Sequence, residues 1–270
     1  MKLYTLIMLT SALSLTTSVA TAQPVKELKK ALELKIPREG GANGASVAWH
    51  PGLKKYYAAM TGNESYFIGV YDAKGTRLNP TTQETMFDIR GLWYNPNTKT
   101  IQMNGFEDYG WAEYKLDSKG FPAAVKNLHE GMNQPGEQSV GIFNPKAKAI
   151  YFFNDEGDLD QYDFSNAEFE ETVNLYLGKS SEAEDEDHDN YDVLEDYNTT
   201  PIFTGIPKAE IGLLNHTKRE VELYDVNTGY ITKKYSFPET APVNNFLNFS
   251  YSNGTFWLFD KDKRVWIGYK

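Results

Sequence analysis

The copy of a repeated pattern that begins at Phe249, FSYSNGTFWLFDKDKRVWIGYK, is one strand short. Three other stretches align with it: WHPGLKKYYAAMTGNESYFIGVYDAKG from Trp49, YNPNTKTIQMNGFEDYGWAEYKLDSKG from Tyr94 and FNPKAKAIYFFNDEGDLDQYDFSN from Phe143. A looser copy, IFTGIPKAEIGLLNHTKREVELYDVNTG, starts at Ile202. Each carries a short apolar strand (a), a turn that is often aromatic-Asn/His-Pro, a second strand (b), a polar hairpin turn and a third strand (c). Short β-rich runs with regular turn signals are an all-β signature. Strand c usually ends in Asp, with Gly or Asn three or four residues on: Asp72 with Gly75, Asp117 with Gly120, Asp163 with Asn166, Asp225 with Gly229. Asp bonds the backbone of a turn it opens, and Gly or Asn tolerates the left-handed position that closes it. These carboxylates therefore read as turn residues rather than as a ring of ligands.

A fourth strand (d) follows each turn, around Thr76–Asn79, Pro122–Leu128, Glu168–Leu177 and Tyr230–Phe237. The turn aspartates are spaced by 45, 46 and 62 residues, and the surplus in the last gap matches an acidic stretch at 179–200. That stretch reads as an insertion between repeats, not a separate domain. Four-stranded repeats of about 45 residues are the size of propeller blades. The fifth copy lacks strand d, and LELKIP, Leu32–Pro37, supplies a candidate from the other end of the chain. The expectation is a single all-β domain over 23–270, a five-bladed β-propeller closed by its N-terminal strand. Closure removes strand edges that would otherwise template aggregation.

This arrangement resembles the strand-swap closure of β-propeller families, and loosely the NHL and lactonase-type propellers of exported proteins. The Trp-Asp dipeptide of WD repeats and a consistent kelch-type Gly-Gly pair are absent. The resemblance implies that the a strands line a central channel. It also implies that the d-to-a linkers and the b–c hairpins share the face that holds a ligand. Lactonase-type propellers gather a Glu, Asn residues and an Asp on one metal at that mouth. Here Ala45 and Ser46 stand where that family's first Glu opens its strand.

The first residues, MKLYTLIMLTSALSLTTSVATAQ, combine a basic start, an apolar stretch and a small-x-small site at Ala20–Ala22, so 1–22 reads as a signal peptide. The expected location is periplasmic or extracellular, and the expected state a monomer. No other apolar run approaches the ~20 residues that span a bilayer. Cysteine is absent, which excludes disulfides, thiolate metal sites and a Cys nucleophile. Net charge is -10, and nine acids fall within Glu182–Asp196. No basic patch stands out, which argues against a nucleic-acid partner.

Candidate sites follow from position. Arg90, Glu137, Gln138 and Asn245 sit just before a strands, at the expected channel mouth, with Asp88, Asn43 and Asn244 nearby. Tyr109 and Trp111, with Phe106, occupy or flank the long second hairpin, where exposed aromatics suit sugar or peptide binding. Asp185, Asp187, Asp189 and Asp192 could collect the oxygen ligands a hard cation such as calcium wants. The calcium-like Asn154–Asp160 run coincides with a hairpin and reads as a turn. The four histidines, His50, His129, His188 and His216, have no GxSxG partner motif. The pattern favours a non-catalytic binding or scaffold propeller for a protein, peptide or carbohydrate. The alternative is a propeller enzyme, hydrolase- or lyase-like, acting on a sugar or lactone at the mouth. Sequons occur at Asn63, Asn198, Asn215, Asn248 and Asn253.

Overall fold

The computed structural model describes residues 25–37, 43–181 and 190–270. An N-terminal segment supplies β1 (Lys26–Glu27) and β2 (Lys30–Lys35). Blade one follows with β3 (Asn43–His50), β4 (Lys55–Thr61) and β5 (Ile68–Asp72). Blade two is β6 (Ile89–Asn95), β7 (Thr100–Gly105), β8 (Trp111–Leu116) and β9 (Pro122–His129). Blade three is β10 (Ile142–Asn144), β11 (Ala149–Phe153), β12 (Leu159–Asp163) and β13 (Phe169–Val173). A one-turn helix, α1 (Tyr191–Leu194), lies between β13 and blade four. Blade four is β14 (Ile202–Ile206), β15 (Ala209–Asn215), β16 (Glu220–Tyr224) and β17 (Ile231–Ser236). Blade five is β18 (Phe249–Ser252), β19 (Thr255–Asp260) and β20 (Val265–Tyr269). The innermost strands β3, β6, β10, β14 and β18 neighbour one another in a closed ring, so the chain is a five-bladed β-propeller.

Burial grades from the axis outwards, and the sequence follows it. Strand b is covered on both faces by adjacent blades, so KYYAAMT and TFWLFD are buried almost throughout. Strands buried on both faces read as near-continuous apolar runs. Strand d faces solvent: FEETV is exposed at four of five positions, and ITKKYS exposes Thr232 and Lys233. Charged outer edges discourage pairing with other chains.

The missing strand of blade five is β2. It pairs antiparallel with β20, with Glu33 opposite Ile267 and Leu34 opposite Trp266. Leu34 is fully buried in a cluster with Val47, Tyr56, Trp257, Phe259 and Trp266, which joins blade five to blade one. One strand was not legible in the sequence. β1 runs parallel to β17 as a fifth strand of blade four, with Lys26 opposite Tyr235. Between β1 and β2, Leu28 is buried among Val221, Phe237, Phe249 and Tyr269, while its N–H donates to Ser236 O at 2.8 Å. Lys29 and Lys270 exchange both backbone hydrogen bonds. The N-terminal segment therefore clasps blades four and five together.

Thr76–Asn79 does not form the regular strand d expected of blade one. It makes an isolated bridge, Tyr71 with Arg77, and Leu78 N–H donates to Val70 O. The buried Asn79 side chain then replaces the main chain, accepting from Val70 N–H and donating to Ile68 O, both at 2.8 Å. The turn aspartates do what their spacing suggests. Asp72 Oδ1 accepts from the N–H groups of Lys74 and Thr76, and Asp117 Oδ1 from those of Lys119 and Phe121. In blade three the left-handed position falls on Ala167 rather than Asn166.

The a–b turns share a second device. Asn95 Oδ1 accepts from Asn97 N–H, and Asn144 Oδ1 from Lys146 N–H. In blade one His50 takes this role: its Nδ1 accepts from Leu53 N–H at 3.2 Å, which leaves Nε2–H to donate to Lys99 O. Acceptance at Nδ1 needs the neutral ring, and burial lowers its pKa below the ordinary 6.5 despite the bond to Lys99 O, which favours the charged form. A folded-state pKa below the unfolded one makes the contribution complete above about pH 6.5 and progressively lost as pH falls beneath it.

Two outcomes are expected. Leu28→Ala should lower the unfolding free energy by about 2–5 kcal/mol, whereas Leu53→Ala, at a 41% exposed position, should change it by less than about 0.5 kcal/mol. Melting curves between pH 7 and 5 should show a steeper decline for the wild type than for His50→Asn, which installs the residue used by blades two and three.

Candidate functional site

The d-to-a linkers and the b–c hairpins do share one face, and there they enclose a cleft of about 760 Å³. The β9–β10 linker contributes Glu137 and Gln138, the β11–β12 hairpin Asp155, the chain after α1 Glu195, and the β17–β18 linker Asn245. Phe153, Leu194 and Phe246 line the same cleft, with Phe246 41% exposed. Among the described residues, no lysine or arginine is in its wall. Glu137, Asp155 and Glu195 are exposed, and none has a side-chain partner among the described residues. Three of the residues expected at the mouth, Glu137, Gln138 and Asn245, are thus brought together.

Buried asparagines hold these linkers. Asn104 on β7 is fully buried, and its Oδ1 accepts from Gly91 N–H at 2.9 Å and Gly141 N–H at 2.8 Å. Its Nδ2 donates to Gln134 Oε1 and Ser139 O. One amide therefore ties strands a of blades two and three to the linker that carries Glu137. The approach is close enough that a Cβ on Gly91 would sit 2.4 Å from Gly141 O. On the far side, Asn198 donates to Asn244 O and to Asn248 Oδ1, and Asn248 donates to Pro242 O. Asn198, Asn215 and Asn248 are buried, so these three sequons are structural positions.

Arg90 is placed behind the cleft rather than in it. It is 3% exposed, bonds Asp88 Oδ1 at 2.6 Å through Nη1 and Gln138 Oε1 at 2.7 Å through Nε, and lies over the Phe106 ring. Asp88 Oδ1 also accepts from Gly62 N–H. Arg90 therefore orients Gln138 and does not itself reach a ligand. Asn43 and Asn244 serve the loops likewise: Asn43 donates to Phe246 O, and Asn244 Oδ1 accepts from Asn245 N–H.

Trp111 is not an exposed aromatic. A single 3-10 turn, Glu107–Tyr109, takes the hairpin apex, and Gly110 at φ 70° turns the chain back. Trp111 then starts β8 fully buried, stacked 6.1 Å from Phe164 and edge-on to His129. Tyr109 is exposed but lies outside the cleft, against Phe87 and within reach of Glu64 Oε2 at 3.3 Å. Desolvation, then Glu64, raises its phenol pKa.

Asp185, Asp187 and Asp189 lie outside the described residues, and Asp192 is exposed on α1. Among the described residues no three His, Asp or Glu side chains are gathered for a metal. In the Asn154–Asp160 hairpin, Asn154 Oδ1 accepts from Glu156 and Asp158 N–H, and Asp158 Oδ1 from Leu175 N–H. The run is a turn that leaves Asp155 and Glu156 exposed, and of the two Asp155 lines the cleft. His216 lies in a turn as expected, whereas His50 ends β3, His129 ends β9 and His188 lies outside the described residues.

Behind the cleft, Tyr197 donates to Glu222 Oε2 at 2.6 Å, as Tyr224 does at 2.8 Å, while Lys234 pairs with Oε1. Glu222 has no exposed surface. Desolvation and this carboxylate push both phenols well up.

No protein-family model and no curated protein sequence matches the chain. Among solved structures, the crystal structure of Myxococcus xanthus glutaminyl cyclase is similar at a TM-score of 0.55 and 10% identity, over 92% of this chain and 98% of that one. The crystal structure of a nidogen/laminin complex is similar at a TM-score of 0.44 and 11% identity, over 74% of this chain and 66% of that one. At 10% identity the likeness to the cyclase structure shows the fold alone.

Asn104→Ala strands two buried glycine N–H groups, each worth about 1–3 kcal/mol. Denaturant titration should show a loss of at least about 2 kcal/mol with an unchanged slope.

Proposed function

We propose that the protein is a non-catalytic binding propeller that takes a positively charged, partly apolar ligand, such as a lysine- or arginine-bearing peptide segment, in the loop-face cleft. The observation that carries this reading is the wall itself: among the described residues, Glu137, Asp155 and Glu195 have no side-chain partner, Phe153, Leu194 and Phe246 give an apolar lining, and no cation is present. Carboxylates attract and orient a cationic group, and exposed apolar surface rewards burial of its stem. Gln138 and Asn245 add side-chain amides suited to a peptide backbone. The sequence also carries six acids over 182–189, outside the described residues. The signal-like residues 1–22 support a working place in the periplasm or outside the cell.

A catalytic reading at this mouth would pair Asp88 with Glu137 from neighbouring blades. Asp88 is already engaged by Arg90 and Gly62, which favours the binding reading.

A fluorescent peptide alternating Lys and Phe should bind saturably, and more weakly as salt rises, because screening acts on exposed charges. Exposed pairs contribute about 0.2–1 kcal/mol each, so Glu137→Gln, Asp155→Asn and Glu195→Gln together should weaken binding about tenfold. Equal binding of a Glu/Phe peptide, or no change in the triple variant, would contradict the proposal.

A further inference from the structure

The aromatic-Asn/His-Pro turns converge on a second place. On the face opposite the cleft, a well of about 300 Å³ opens into the central channel. Its wall includes Trp49 and Pro51, Tyr94 and Pro96, and Phe143 and Pro145, the same motif from three successive blades. Phe203 and Tyr251 contribute from the other two. A motif read in the sequence as turn punctuation therefore also builds an aromatic funnel.

Three observations define what fits. Among the described residues no charged side chain lines the well, which favours a neutral ligand. Its volume is about twice the ~150 Å³ of an apolar cavity that accepts benzene, which suits one or two rings. The Tyr94 and Tyr251 hydroxyls and the Asn253 amide keep contact with solvent, while its buried hydroxyls are mostly engaged. Ser46 and Ser250 bond each other at 3.0 Å and the backbone at Leu92 and Val47. Ser252 accepts from Trp257 Nε1, and Thr204 donates to Ala209 O. Thr200 differs: it is 1% exposed, lines the well, and its Oγ1 has no partner among the described residues. Its N–H donates to Asn198 Oδ1 at 2.8 Å, so the buried asparagine network fixes where that hydroxyl stands.

We infer that this well binds a small neutral molecule built on a flat apolar ring with one hydrogen-bonding substituent, the substituent meeting Thr200. Phenol and indole derivatives have this chemistry. A sugar fits less well: Tyr94, Tyr251 and Asn253 keep contact with solvent, and the buried part of the wall offers only Thr200 Oγ1 without a partner, so a sugar ring buried there would leave most of its hydroxyls unpaired, which is unfavourable.

Calorimetric titration of the whole protein with p-cresol, indole, toluene and cellobiose tests this. Saturable binding of p-cresol and indole, but not cellobiose, is expected. Thr200→Val keeps the shape and removes the hydroxyl, and should weaken p-cresol about fivefold while leaving toluene unchanged, the size of one hydrogen bond. Tyr94→Ala should weaken both rings, with melting curves confirming that each variant is folded. The triple variant of the opposite cleft should bind p-cresol normally. Failure of the wild type to bind either ring, a preference for cellobiose, equal loss of toluene and p-cresol in Thr200→Val, or loss of p-cresol in the triple variant would each overturn the inference. None of these outcomes bears on peptide binding at the loop face, so the two sites stand or fall separately.

Discussion

The pairing of β2 with β20 is the constraint from which the rest of the structure follows. A propeller blade buries its inner strands only because a neighbour covers each face, so an open ring would expose two blade faces and a strand edge together. Here the strand that closes the ring comes from the opposite end of the described chain, and Leu34 enters an interface shared by blades five and one. Leu28 and β1 then fasten the same segment to blade four. Three blades therefore depend on about ten residues, Lys26–Lys35. That is a long-range contact, whose loop-closure entropy must be offset before it contributes anything.

Within the closed ring, buried amides do the positioning. Asn104 and Asn198 each place both amide atoms on backbone or on another amide, and each spans two structural units. Fully satisfied polar groups of this kind specify one arrangement, because any shift would leave them buried and unpaired. Their consequence is felt at both ends of the channel. Asn104 sets the linker that presents Glu137 and Gln138, and Asn198 sets Thr200 in the opposite well. Two such networks thus shape an acidic cleft on one face and a neutral aromatic well on the other.

Much of the fold was legible because it is local and repeated. The Asp-to-Gly turns, the apolar b strands and the charged d strands each follow from a few neighbouring residues, and the unpaired last copy pointed to Leu32–Pro37. β1 was not legible, since two residues, Lys26 and Glu27, carry no pattern and pair through backbone alone. Strand d of blade one was misread because Asn79 imitates a strand with its side chain. At the mouth, Glu137, Gln138 and Asn245 followed from their place before a strands. Asp155 and Glu195 did not: one hid in a hairpin and the other in the acidic stretch, and only the ring brings them together. Arg90 and Trp111 had the right residue types and the wrong depth, which a sequence does not record.

Hydrogen exchange of individual amides measures the closure directly. If β2 and β20 hold the ring shut, the amides of Leu34, Trp266 and Gly268 should exchange only through global unfolding, with the same free energy as the innermost core of blades two and three. Fast exchange of those amides while the other blades stay protected would show that the ring opens locally, and that its closure is not what the rest of the structure rests on.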